Sequence, residues 1–262
     1  MDLSRFSLEG RTAIVTGGSG GIGGAVARAM ADAGANIVVV GVPAESIPPA
    51  VKEIEGRGVQ AMGIVANVVN ADEVDAMVKQ TLDRFGRIDI LVNVAGGTYS
   101  RNPEMPQFKR APLLELNEDD FMMAYEANVK SAFLCAQAVV PQMKQQGKGT
   151  IINTGSSSGL NVRPDRTGDL SAYGAAKAAV HALTARMAQQ WGPEIRVNCI
   201  APGTIDTPRP SGTVRPEMAQ AADRILVGRV GKAEDIGGVA AFLASDAAGF
   251  VNGITLLVNG GE

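Results

Sequence analysis

Tyr173 and Lys177 stand four residues apart in the alanine-rich run Ser171-Ala172-Tyr173-Gly174-Ala175-Ala176-Lys177-Ala178-Ala179-Val180. On a helix that spacing puts both side chains on one face. A phenol titrating near about 10 is poorly matched to proton transfer at neutral pH, and a neighbouring ammonium corrects this by favouring the phenolate. The pair could therefore exchange a proton with the oxygen of a carbonyl or alcohol. A chain with three tyrosines can produce such a pair by chance, so its meaning depends on what surrounds it. Upstream, Thr150-Ile151-Ile152-Asn153-Thr154-Gly155-Ser156-Ser157-Ser158-Gly159 sets hydroxyls just beyond an apolar run, where one could hydrogen-bond the same oxygen.

A second chemical signal is Thr16-Gly17-Gly18-Ser19-Gly20-Gly21-Ile22-Gly23-Gly24, directly after the apolar Ala13-Ile14-Val15. Glycines let the backbone turn tightly and approach a pyrophosphate, while the first amides of a following helix face the negative charge. An isolated glycine cluster is equally well a flexible turn, but its place between a strand and a helix points to dinucleotide binding. Asn93-Val94-Ala95-Gly96 follows another apolar run in the same way. Asn128 falls inside the helical pattern Phe121 to Val140, either as a satisfied core residue or as part of a proton relay.

Positioning these groups requires regular elements. Ala13–Val15, Ile37–Val40, Ile88–Val92, Thr150–Ile152, Ile195–Val197 and Ile254–Val258 are short, nearly continuous apolar runs, as expected of strands buried on both faces. Between them lie amphipathic stretches such as Ile22 to Ala33, with Ile22, Val26, Met30 and Ala33 on one face, Arg28 and Asp32 paired on another, and Gly34 placed to end it. This alternation predicts a Rossmann-like α/β fold, a doubly wound parallel sheet in a three-layer αβα sandwich. The 262 residues suit one domain, with ligand loops at the carboxyl ends of the strands, at Gly96 to Pro112, Gly155 to Asp169 and Thr207 to Pro216.

A net charge of -3 argues against nucleic acid as a partner. No apolar run is long enough to span a membrane and the N-terminus lacks a signal-peptide layout, so a cytoplasmic location is expected. Cys135 and Cys199 read as small buried apolar residues without a disulfide, and a single histidine, His181, leaves little for a metal site or a Ser-His-Asp hydrolase. His181 itself reads as a packed or interface residue, since the proton chemistry already has its donor.

Taken together, Thr16-Gly17-x-x-x-Gly21-Ile22-Gly23, Asn93-x-Ala95-Gly96, Asn128, Ser156, Tyr173-x-x-x-Lys177 and Pro202-Gly203-Thr204-Ile205-Asp206-Thr207 resemble the short-chain dehydrogenase/reductase family, over nearly the whole chain. The resemblance implies an NAD(P)-dependent oxidoreductase that moves a hydride between the cofactor and a secondary alcohol or ketone. It implies Tyr173 as general acid/base, Lys177 favouring its phenolate and binding the nicotinamide ribose, Ser156 polarising the substrate oxygen, and Asn128 holding a water that links Lys177 to solvent. It further implies a cofactor site formed by Gly17, Ser19, Gly20, Gly21, Ile22, Gly23, Gly41, Val42, Asn67, Val68, Asn93, Ala95, Gly96, Tyr173, Lys177, Pro202, Gly203, Ile205 and Thr207. The stretches Gly228 to Ile236 and Val251 to Gly261 also look familial and imply a homotetramer.

The chain departs from the family pattern in several places. At the end of the second strand Gly41 and Val42 replace the acidic residue usual for NAD and the arginine usual for NADP, and Gly20 replaces a frequent basic residue. The absence of any cation for the extra phosphate tips the reading towards NAD. Asn67 stands where relatives carry an adenine-binding aspartate. Arg101, Lys109, Arg110, Arg163 and Arg166 lie in loops near the expected substrate mouth; they are solvated charges or subunit contacts, or they grip an anionic small-molecule substrate. Two competing functions stand beside the leading one: an NADPH-dependent 3-oxoacyl-thioester reductase and a catalytically silent nucleotide-binding scaffold.

Overall fold

Strand β1, Thr12–Thr16, is buried along its whole length, and its side chains alternate between two cores. Ala13 and Val15 pack with residues of one helical layer, while Ile14 joins the opposite core. A parallel strand with a helical layer on each face needs apolar residues at every position, which is why the chain reads as runs rather than as alternation. The computed structural model describes residues 2–97, 111–160, 170–207 and 221–262.

Around β1 the sheet adds β2 (Asn36–Gly41), β3 (Ala61–Val65), β4 (Ile90–Asn93), β5 (Gly149–Thr154), β6 (Ile195–Pro202) and β9 (Thr255–Val258), in the order β3-β2-β1-β4-β5-β6-β9 and parallel throughout. The two-residue strands β7 (Ile205–Asp206) and β8 (Gly231–Lys232) pair separately. Helices α1 (Gly21–Asp32) and α7 (Ala233–Ala244) cover one face; α3 (Ala71–Phe85), α5 (Ser131–Gln145) and α6 (Ser171–Trp191) cover the other. Helix α2 (Ile47–Glu55) follows β2, and α4 (Glu118–Tyr125) precedes α5. The order reverses at β1, so the strands on either side send their connections to opposite faces and leave a crevice at their carboxyl ends.

The expected doubly wound sandwich is the fold observed. Several local expectations change. The strand β3 was not among the anticipated runs: Ala61-Met62-Gly63-Ile64-Val65 lies at the sheet edge, half exposed, and carries a weak apolar signal. Arg28 and Asp32 do not pair with each other. Arg28 reaches Glu234 at 2.9 Å and Asp32 reaches Arg57 at 2.6 Å, because both flanking elements offer a partner. Gly34 follows α1 with φ +99°, a conformation glycine adopts without a Cβ penalty.

The stretch Phe121 to Val140 is two helices rather than one, joined by a π-turn over Glu126–Lys130. Asn128 explains the break. Its Nδ2 donates to the Ala124 carbonyl at 2.9 Å, the oxygen that its own backbone amide would take in an unbroken α-helix. A side chain inserted into the i to i−4 ladder opens the turn.

Candidate active site

The glycine turn closes on itself. A Cβ at Gly23 would collide with the Gly17 carbonyl, and one at Gly17 (φ +66°) would press on the Ala95 backbone at 3.2 Å. Gly20, the N-cap of α1, has no side chain with which to cap the first-turn amides. A cradle of this shape, at a helix N-terminus with no acidic residue in its first turn, suits a diphosphate. Ser19, Gly21 and Ile22 lie in the same turn. Thr16 locks the turn to its neighbour, its Oγ1 accepting from the Val94 and Ala95 amides at 3.1 Å each.

Gly41 ends β2 beside this turn. A Cβ there would meet Ser19 Oγ at 3.6 Å, an ordinary contact, so the glycine is not forced by crowding. Beyond Val42, Ser46 Oγ donates to the Pro43 carbonyl at 2.7 Å and shares a hydroxyl–hydroxyl hydrogen bond with Ser19 Oγ at 2.9 Å. After β3, the Asn67 amide donates to Glu73 Oε2 at 2.7 Å and its Oδ1 accepts from Val69 at 3.4 Å, while Val68 packs its side chain into the core.

Asn93, buried at the end of β4, donates to Asn153 Oδ1 at 2.9 Å and to the Ala132 carbonyl at 3.4 Å, tying β4 to β5 and α5. Asn153 continues the line to Thr184 Oγ1 at 3.0 Å on α6. Asn128 holds Gly97 in both directions, accepting from its amide at 2.9 Å and donating to its carbonyl at 3.1 Å. A Cβ at Gly96 would fall 2.7 Å from Asn128 Oδ1, so Gly96 is required for this contact.

The proposed proton-transfer pair lies on α6, and the hydroxyl lies on the turn after β5. Helix and turn pack backbone to backbone: Cβ atoms at Gly159 and Gly174 would meet the Ala178 amide at 2.6 Å and the Ser158 carbonyl at 2.9 Å. Lys177 Nζ sits 5.7 Å from the centre of the Tyr173 ring and donates to the Thr154 carbonyl at 2.6 Å. Burial pushes the Lys177 ammonium down to about 8. Ser156 Oγ accepts from the Ser158 amide at 3.2 Å, which fixes the oxygen and leaves its proton to donate elsewhere.

Pro202 ends β6; Gly203 donates to the Val258 carbonyl at 3.1 Å, and Thr204 is held by Glu262 through its amide (2.7 Å) and hydroxyl (2.6 Å). Ile205 opens β7 and Thr207 follows it. These segments, with those after β1, β2, β4 and β5, sit at the carboxyl ends of the strands. The arrangement can thus bring a dinucleotide, a phenol, an ammonium and a hydroxyl to one crevice. Arg101, Lys109, Arg110, Arg163 and Arg166 lie outside the described residues. Sequence reasoning did not single out Thr16, Ser46, Asn153 or Thr154 as parts of the site. Thr16 carried a signal as the first residue of the glycine motif, and Asn153 and Thr154 lay within the hydroxyl-bearing run; Ser46 carried none. Cys135 and Cys199 are both buried, and burial raises their thiols to about 12 and about 11.

The fold and this crevice define a dinucleotide-binding oxidoreductase of the doubly wound class. A family model described as enoyl-(acyl carrier protein) reductase matches residues 17–262. A (2S)-[(R)-hydroxy(phenyl)methyl]succinyl-CoA dehydrogenase subunit from Thauera aromatica is 36% identical over 258 residues, 98% of each chain. A 3-oxoacyl-[acyl-carrier-protein] reductase from Thermotoga maritima is 35% identical, covering 97% of this chain and 98% of its own. A solved 7α-hydroxysteroid dehydrogenase, complexed with NADH and 7-oxo glycochenodeoxycholic acid, superposes with a TM-score of 0.89 at 34% identity, covering 100% of this chain and 97% of its own. The chain belongs to the short-chain dehydrogenase/reductase family and is an NAD(P)-dependent dehydrogenase or reductase.

Proposed function

We propose that the chain interconverts a secondary alcohol and its ketone, with Tyr173 as general acid/base, Lys177 as the cation that favours its phenolate and binds the nicotinamide ribose, and Ser156 as the donor that polarises the substrate oxygen. The observation that carries this reading is the attachment of one helix to one turn: α6 bears Tyr173 and Lys177, and Lys177 bonds the strand end that leads into Ser156. When bound, the nicotinamide accepts or supplies the hydride. Tyr173 gives the proton to the substrate oxygen in reduction and removes it in oxidation, while Ser156 donates to the oxygen where negative charge develops. Asn128 belongs to the relay that returns the proton from Lys177 to solvent. The test is a panel of secondary alcohols and ketones followed by nicotinamide absorbance. Tyr173→Phe is expected to lower kcat at least about a hundredfold; full turnover in that variant overturns the assignment.

The glycine turn from Gly17 to Gly23 holds the pyrophosphate, Gly41, Val42, Asn67 and Val68 line the adenosine side, Asn93, Ala95 and Gly96 brace it, and Pro202, Gly203, Ile205 and Thr207 flank the nicotinamide. NAD is the preferred form. Neither Ser19, Gly20 nor any residue from Gly41 to Ser46 is basic, Glu45 is acidic, and the Ser19–Ser46 hydroxyl pair suits ribose hydroxyls better than a phosphate dianion. Initial rates with NAD and NADP at equal concentration are expected to favour NAD, and a clear NADP preference reverses the assignment.

A second reading, reduction of a 3-oxoacyl thioester, is favoured by the names of two relatives, one a CoA-ester dehydrogenase and one an acyl-carrier-protein reductase. Including an acetoacetyl thioester in the panel decides between them. The 262 residues act as a single domain, in the cytoplasm and as a homotetramer.

A further inference from the structure

His181 follows Lys177 by one further turn on α6, and its Nε2 accepts the backbone N–H of Ser156 at 3.3 Å. The turn it touches is built around it. A Cβ on Gly155 would collide with the imidazole and lie 2.8 Å from Cys199 Sγ, so the residue before Ser156 has no side chain because the ring fills that space. Three successive residues are thereby pinned: the Thr154 carbonyl by Lys177 Nζ at 2.6 Å, the Gly155 amide by the Ile200 carbonyl at 2.7 Å, and the Ser156 amide by His181. The other ring nitrogen, Nδ1, is buried and has no hydrogen-bond partner among the described residues. A ring that accepts at Nε2 is neutral and carries its proton on Nδ1.

We propose that His181 is a positioning residue for the reaction, its neutral imidazole holding the Ser156 amide so that the Ser156 hydroxyl meets the substrate oxygen. This rests on the reading of Ser156 as the group that polarises that oxygen. Protonation would turn Nε2 into a second donor facing the Ser156 N–H and break the hold. Among the described residues the charged and titratable groups beside the ring are Lys177 on the same helix and Cys199 from β6, and the turn after β5 meets it through the Gly155 backbone and the Ser156 amide. Cys199 stays a thiol, because burial raises it to about 11. Burial and then the Lys177 charge hold the imidazole below its usual 6.5, so it is neutral through the physiological range.

The experiment compares wild type, His181→Phe, His181→Gln and Tyr173→Phe with the best substrate of the panel, from pH 5 to 9, with cofactor Kd and a thermal melt for each. Glutamine carries an acceptor oxygen at the same reach as Nε2. His181→Phe is expected to lower kcat by about ten- to a hundredfold, the cost of misplacing a reacting group by an ångström or less, with cofactor Kd within about twofold of wild type. His181→Gln is expected to recover most of the rate and to lack the acid limb, below pH 6.5, that wild type shows. Unchanged kcat in His181→Phe, or an acid limb that persists in His181→Gln, overturns the positioning role while Tyr173→Phe remains inactive. If His181→Phe fails to fold, the pH profile of His181→Gln alone decides. Full turnover in Tyr173→Phe instead overturns the underlying catalytic reading.

Discussion

Lys177, the cation of the proposed proton transfer, has a titration that is open to measurement. Burial lowers it from 10.5 to about 8, so the folded ligand-free protein sheds this proton before the unfolded chain does. Between pH 8 and 10.5 the unfolded state binds more protons, and the contribution of Lys177 to stability therefore rises with pH across that window. Activity runs the other way. The ammonium is present below about 8 and lost above it, so kcat/KM for ketone reduction is expected to fall as pH passes through about 8, and kcat/KM reports the groups of the free enzyme. A flat profile from pH 7 to 10 would exclude an essential charge at Lys177. At this scale the sequence was informative where spacing alone sets geometry, as in bringing Lys177 beside the Tyr173 ring on one helix. It was silent where a role is set by a contact across the fold: His181 reads as a packing residue until its bond to the Ser156 amide is seen.

Among the elements, α1 and α7 meet closely enough that neighbouring glycines have opposite requirements. A Cβ at Gly237 would lie 2.6 Å from the Ala25 carbonyl, whereas Gly238 has nothing within 4 Å. Gly237→Ala is expected to destabilise by about 1–3 kcal/mol through overpacking. Gly238→Ala is expected to stabilise by about 0.5–1 kcal/mol, the usual gain for alanine over glycine in a helix interior. Urea titrations of the two variants check this; equal shifts in midpoint would contradict the close approach. The buried strands were visible as apolar runs because both faces demand apolar residues at every position. The edge strand β3 was not, since only Ile64 of its five residues is buried. The π-turn at Asn128 was hidden for another reason: an asparagine within a helical pattern does not reveal which carbonyl it will take.

On the scale of the molecule, strand β9 closes the sheet with one side unpaired, and Phe250, Ile254 and Leu257 are exposed in or beside it. An uncovered apolar sheet edge is a liability that oligomers remove by pairing copies. Light scattering is expected to give a mass four times that of the 27.1 kDa chain. Phe250→Asp combined with Leu257→Lys is expected to yield smaller assemblies; a wild-type monomer would refute the homotetramer. No helix among the described residues is long and apolar enough to cross a membrane.

The fastening of the Ser156 turn to α6 has an evolutionary corollary. Because Lys177 and His181 grip both ends of Thr154-Gly155-Ser156, the proposed donor, cation and hydroxyl are tied to one another through α6 and the turn after β5. Substrate choice and reaction chemistry are then inherited separately. Grafting residues 98–110 and 208–216 from a relative with a different substrate, with Gly96, Gly97 and Thr207 kept, should move selectivity to the new scaffold while leaving the proton-transfer step intact.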